Sequence, residues 1–271
     1  MSLDIDYPRW KEEHSVFLRS LGGKRIFLLY SGGKDSSLAL DLVSQAGEEF
    51  GFDLEAHAGA FPAGRYPREE KDRLQAYWGK RGVGIVWHEM VERDEALRSA
   101  PNPCLLCQKI RKRMLNVILG ESVGDWAKLV LIPSYTLWDI VSYSVEHMLS
   151  STFAMSDPDT EDQKRRRFRE IAQRFYPLLQ MKGGYTVFRP LLRYNGSDVA
   201  RTVERKGIPV LSIPCEFKGF RPKRVLERYY ETMGLSFDYD RVMEFARGAF
   251  RIPDVSSFAT LEKETYLEEV F

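Results

Sequence analysis

Long apolar runs are missing from this 271-residue chain. Uncharged stretches such as Leu129–Tyr135 fall far short of the roughly 20 residues that span a bilayer, which excludes a transmembrane helix. The first residues, Met1–Lys11, carry Asp4, Asp6 and Pro8 and no apolar core. They do not read as a secretory signal, so no membrane partner and a cytoplasmic location are expected. Cysteine is scarce. Three residues cannot all pair in one chain, which argues against a disulfide scaffold and leaves metal binding, redox chemistry or apolar filling. An excess of one charge is absent too, with 40 Lys and Arg against 39 Asp and Glu. That balance does not point to a nucleic-acid binder, although clustered basic residues would still permit one. What is present, 44% hydrophobic and 29% charged residues with 13 prolines, excludes a collagenous or disordered chain. The length allows one large domain or two modest ones.

Apolar periodicity orders the chain. Residues 8–21 read as an amphipathic helix with Trp10, Val16, Phe17 and Leu21 inward. Ile26–Tyr30 is a run suited to a strand buried on both faces. Ser31-Gly32-Gly33 breaks it, and Asp35–Val43 follows as a helix. Strands at 54–61, 83–87 and 128–132 then alternate with helices at 68–81, 104–119 and 137–149, which predicts an α/β fold with a mainly parallel open sheet and helices on both faces. Ser156–Arg169 reads as a mobile loop leading into a basic helix. Val187–Leu191 resumes order. Ser197 is the expected N-cap of a helix over 198–206, ended at Gly207. Pro222–Met233 and Tyr239–Gly248 read as helices. No internal repeat or strong domain boundary is visible. The division expected is an N-terminal helical segment (1–23), a nucleotide-binding domain (24–215) and a helical C-terminal extension packed on it (216–271).

The loop Ser31-Gly32-Gly33-Lys34-Asp35-Ser36-Ser37 follows a buried strand and opens a helix. Several backbone N–H groups then point to one place at the positive end of the helix, which makes a phosphate cradle. The glycines admit an anion and allow positive φ. Ser31, Ser36 and Ser37 add hydroxyls, Lys34 adds charge, and Asp35 suits a companion Mg2+. The spacing is neither G-x-x-x-x-G-K-[ST] nor G-x-G-x-x-G. The plainer alternative is an ordinary strand-to-helix turn. The loop resembles S-G-G-x-D-S of the ATP pyrophosphatases, the PP-loop or adenine nucleotide alpha-hydrolase-like superfamily with its Rossmann-like sheet. That resemblance implies that ATP is bound by residues 31–37, that a substrate oxygen attacks the α-phosphorus, and that pyrophosphate leaves.

Cys104 and Cys107 form a C-x-x-C at the start of a basic helix, where the helix field is expected to favour thiolate. Cys215 lies 108 residues beyond Cys107. The pair alone is a weak signal. It fits two cysteines of a helix, a redox dithiol that leaves Cys215 unexplained, or a structural zinc that needs a fourth ligand from His14, His57, His88 or His147. Taken with the loop, with Phe188-Arg189-Pro190-Leu191 and with a lone cysteine after a proline, the pattern resembles the tRNA 2-thiocytidine synthetase type of thiolation enzyme. The resemblance implies a [4Fe-4S] cluster on Cys104, Cys107 and Cys215, with one iron open to sulfide. It also implies catalytic roles for Asp35, Lys34 and Arg189, the last on a phosphate or the transition state, and tRNA as partner with an unspecified sulfur donor. A homodimer is permitted. The family's G-H-x-x-D-D segment is reduced here to Asp139, which equally suits a first-turn helix acid.

Two basic segments, Lys164–Arg169 and Lys218–Arg224, could position RNA by phosphate contacts or form solvated faces. Tyr229 and Tyr230 could stack on a base or belong to a core. The expected function is ATP-dependent sulfurtransfer to an adenylated carbonyl. The alternatives are the same chemistry on a small molecule or protein, and a nucleotide-binding regulatory protein with structural zinc. Sulfur transfer requires the cysteines and Ser31 on one sheet edge, facing one cavity lined also by Arg189.

Overall fold

The computed structural model describes residues 4–154 and 160–267. Residues 156–159 of the expected mobile loop lie outside that set. Six strands form one sheet: β1 (Arg25–Leu29), β2 (Asp53–Gly59), β3 (Ile85–His88), β4 (Leu129–Ile132), β5 (Leu178–Gln180) and β6 (Thr186–Phe188). Their order is β3-β2-β1-β4-β6-β5. All neighbours run parallel except β5, which is antiparallel to β6 at the edge. The chain therefore moves outward from β1 to β3 and then returns to β4 on the other side of β1. That reversal opens a crevice beyond the carboxyl ends of β1 and β4, where open α/β sheets bind ligands.

Helix α1 (Tyr7–Arg19) precedes β1, and α2 (Lys34–Phe50) and α3 (Arg68–Gly79) connect β1 to β2 and β2 to β3. Helices α4 (Asp94–Arg98) and α5 (Pro103–Ser122) lie between β3 and β4, and α6 (Leu137–Met148) and α7 (Glu161–Ala172) between β4 and β5. Helix α8 (Gly196–Arg205) follows β6; α9 (Pro222–Thr232), α10 (Tyr239–Phe245), α11 (Val255–Ala259) and α12 (Lys263–Thr265) complete the order. No helix among the described residues is long and apolar enough to cross a membrane.

Strand alternation assigns the two cores. Ile26, Leu28, Ala56, Val130 and Ile132 face one side, against Leu38 and Leu42 of α2 and Val199 of α8. Phe27, Leu129, Leu131 and Val187 face the other, against Met114 of α5, Ile140 of α6 and Met243 of α10. Helix α1 is seated by two distant parts of the chain. Trp10, fully buried, donates its Nε1–H to the Pro190 carbonyl at 2.9 Å, and Tyr7 Oη donates to Glu49 on α2 at 2.8 Å.

One expected cap differs from the structure, and one strand was not expected. The N-cap of α8 is Asn195, not Ser197, because Asp198 Oδ2 accepts from Asn195 N at 3.3 Å and starts the helix two residues earlier. Gly196 permits this: a Cβ there would meet the Trp138 ring at 2.6 Å. The edge strand β5 has three residues, too few for alternation to reveal.

Candidate functional site

The Ser31–Ser37 segment, expected to cradle phosphate, joins β1 to α2. Gly32 has φ +67°, a conformation that glycine adopts without strain, and a Cβ there would strike Leu211 Cγ at 2.7 Å. Gly33 caps α2 with no side-chain hydrogen bond. The first N–H groups of α2, from Lys34 onward, have no carbonyl partner within the helix and face the crevice mouth. An anion is the natural acceptor for them. Ser36 and Ser37 are buried and brace the loop rather than lining it. Ser36 Oγ accepts from Ser31 N at 3.1 Å and donates to Gly33 O at 3.1 Å. Lys34 Nζ pairs with Asp35 Oδ1 at 2.5 Å. Burial opposes a charge on Asp35, but Lys34, Lys223 and Arg224 prevail and hold its carboxyl below the ordinary range. A carboxylate ionised beside uncapped N–H groups suits a hard divalent cation accompanying a polyphosphate.

A single segment joins this loop to the cysteines. Leu211 N donates to Gly32 O at 2.8 Å, and Ser212 donates through N and Oγ to Glu70 of α3 at 3.0 and 2.7 Å. With Arg73 beside it, the Glu70 carboxyl falls to about 2. Arg65 Nε donates to Ile213 O at 3.3 Å. Cys215 is four residues past Leu211, and so many residues span at most about 14 Å when extended. Phe61, two residues past the carboxyl end of β2, packs in one cluster with Cys104, Cys107 and Cys215, so the cysteines and the loop after β1 share the carboxyl edge of the sheet.

Cys104, Cys107 and Cys215 pack in one apolar cluster with Phe61, Leu97, Ile110 and Phe217. All three are free thiols and half-buried. Cys104 Sγ donates to Phe217 O at 3.3 Å. Burial pushes the Cys104 and Cys107 thiols up; Arg221 opposes this at Cys104 and Arg111 at Cys107, and Cys215 adds to it at both. The helix field was expected to lower them, but desolvation in the apolar cluster outweighs it. Among the described residues no three His, Cys, Asp or Glu side chains stand ready to hold one metal ion. The thiols are neighbours rather than a closed cage. As a donor set they suit a soft metal or an iron–sulfur cluster. The histidines are engaged elsewhere: His57 with His88 at 2.9 Å, His14 against Trp10 and Phe188, His147 against Phe168 and Phe250.

Arg189 does not reach this edge. It is fully buried and donates to Tyr176 O at 2.7 Å and to Gln173 Oε1, with its guanidinium 6.0 Å from the Tyr135 ring. Its charge serves the interior beside β5 and β6, not a phosphate. Asp139 does lie at the crevice. Its Oδ2 caps α6 by accepting from Thr136 N and Oγ1 at 2.8 Å, and its Oδ1 pairs with Lys223 of α9. Lys223 was not singled out in the sequence; only its place in the basic run after Cys215 hinted at it. Tyr229 is 55% exposed, whereas Tyr230 is 4% exposed and belongs to the core. In the first basic segment, Lys164 pairs with Glu161 at 3.0 Å, as a solvated face would.

Sequence reasoning also missed a cavity of about 190 Å³ between the sheet and α5, lined by Phe27, Leu29, His57, Gly59, Arg111 and Met114. His57 stacks on Phe27 with centroids 3.6 Å apart, and burial keeps its pKa below the ordinary value. The cavity borders Leu29, which leads into Ser31, and Arg111, which follows Cys107 on α5.

No family model matches the chain, and no curated protein matches it. Solved structures do. A U34-tRNA thiolase, NcsA from Methanococcus maripaludis with its [4Fe-4S] cluster, superposes at a TM-score of 0.61 and 14% identity, covering 92% of this chain and 81% of that one. NMN synthetase from Francisella tularensis is similar at 0.43 and 12%, covering 90% and 87%. NAD+ synthetase from Burkholderia pseudomallei is similar at 0.42 and 15%, covering 90% and 92%. The first match shows a shared fold, the one expected from the loop.

Proposed function

We propose that this chain is a PP-loop enzyme that cleaves ATP to AMP and pyrophosphate and uses the adenylated acceptor for sulfur transfer. The observation that carries the reading is the Leu211–Cys215 segment, which ties the phosphate loop to three cysteines on one sheet edge. Residues 31–35 would hold the phosphates, with Asp35 toward Mg2+. The acceptor carbonyl oxygen would attack the α-phosphorus as the bond to pyrophosphate breaks. A sulfur nucleophile would then take the carbon and release AMP with the oxygen. The protein's share is placement and charge neutralisation. A cluster on Cys104, Cys107 and Cys215 would supply a place to hold that sulfur. tRNA is the preferred acceptor: the shared fold includes a tRNA thiolase, and exposed Phe220 adjoins Arg221, whose charge acts on Cys104 and Cys107. A small-molecule or protein acceptor is the rival. Structural zinc is disfavoured because the histidines are engaged elsewhere.

Anaerobically purified protein, assayed for iron and sulfide and incubated with ATP and bulk tRNA, tests the reading. AMP and pyrophosphate should form, and Gly33→Val should abolish nucleotide binding by calorimetry. ADP as product, or unchanged affinity in that variant, would overturn it. Stoichiometric zinc would remove the cluster.

A further inference from the structure

Helix α9 begins against its own field. Its first turn contains Lys223 and Arg224 and no acidic residue, although cations are disfavoured at a helix N-terminus. Lys223 does not point into solvent to escape that cost, being only 13% exposed. Its ammonium lies between Asp139 of α6 and Glu227 one turn on, the latter at 3.3 Å. Asp35 of the phosphate loop is the next carboxylate in its field. Glu227 is also held by Arg224, at 2.8 Å. Asp139 is already satisfied on one oxygen by the α6 cap. So Lys223 ties the N-terminus of α6 to that of α9, with Asp35 at the start of α2 within its field.

We infer that Lys223 is a second phosphate-binding lysine, parked on Asp139 until a polyphosphate enters the loop and then turned onto it. This rests on the nucleotide-binding reading above. The chemistry is that of charge balance. Lys34, Lys223 and Arg224 offset Asp35, Asp139 and Glu227, so the mouth without ligand is close to neutral. A triphosphate adds several negative charges. Lys34 belongs to the loop but is paired to Asp35. Lys223 has a long flexible stem, three donors and partners that other groups can satisfy. Once a cation neutralises the carboxylates, its free energy is lowest on phosphate oxygens. The N-terminal field of α9, unfavourable to Lys223 alone, then acts on the same anion.

The test compares Asp139→Asn with the double variant Asp139→Asn/Lys223→Met. In the first, Glu227 still holds Lys223; in the second, both members of the buried pair are neutral. Both should therefore fold where Lys223→Met alone, with Asp139 left unpaired, can fail. The probe is inorganic tripolyphosphate with Mg2+, by calorimetry, with wild type as control. Asp139→Asn should bind at least as tightly as wild type, and the double variant at least tenfold more weakly. Restoring the charge as Asp139→Asn/Lys223→Arg should recover most of the loss. Equal binding by Asp139→Asn and the double variant would overturn the role of Lys223 while leaving the nucleotide-binding reading intact. If wild type binds no tripolyphosphate and no ATP, both readings fall.

Discussion

Adjacent glycines in the phosphate loop carry separate duties. Gly32 has a positive φ and Leu211 against its missing side chain. Gly32→Ala should therefore cost about 1–3 kcal/mol from the backbone, with overpacking against Leu211 adding a similar amount. Its urea midpoint should fall, and Leu211→Ala should return only the packing share. Gly33 has φ −82°, and a Cβ there would find only Ser31 Oγ at 3.4 Å. Gly33→Ala should keep the wild-type midpoint yet lose ATP affinity, because its methyl group stands in the anion's approach. Equal loss of stability in both would contradict this division. The loop was legible because its residue types meet demands of one turn. Lys223 was not, because an ion pair between α6 and α9 leaves no trace in local spacing. Arg189 sat in a suggestive segment, but only packing reveals that its charge is spent on the Tyr176 carbonyl.

Elements with strong periodicity announced themselves. The strands at β1 and β4 and helices α1, α5 and α6 lie within a few residues of expectation, because burying both sheet faces requires their apolar runs. Short pieces such as β5 and α4 did not, since three to five residues define no period. Capping was half legible: a polar residue was expected before α8, yet tertiary structure selected Asn195. That residue also clasps the turn before α10, donating Nδ2–H to Phe237 O at 3.1 Å and accepting from Phe237 N at 2.8 Å. Asn195→Ala would orphan two backbone groups beside the α8 cap, at about 1–3 kcal/mol each. Amide exchange should quicken over residues 235–245 more than in β1. Uniform exchange across the chain would show that this clasp does not hold the C-terminal helices.

For the molecule as a whole, acid should be destabilising. All four histidines, His14, His57, His88 and His147, have pKa values lowered by burial. As pH falls below about 6.5, the unfolded chain takes up protons that the folded chain refuses, so stability drops. Asp35, Glu55 and Glu70, with lowered carboxyl pKa values, extend the loss to lower pH. Glu146, raised by burial, opposes it. The urea midpoint should be lower at pH 5.5 than at 7.5, and a flat profile would mean that these rings are not kept neutral. The hydrogen bond between Trp10 and Pro190 bears on a different clock. Its partners are 180 positions apart. At roughly 5–20 residues per second, a ribosome needs on the order of 10–40 s to add that much chain. Helix α1 is thus synthesised long before it can be fully seated. Until Pro190 emerges, Trp10 lacks the acceptor that the folded chain gives it, so α1 waits for the turn after β6.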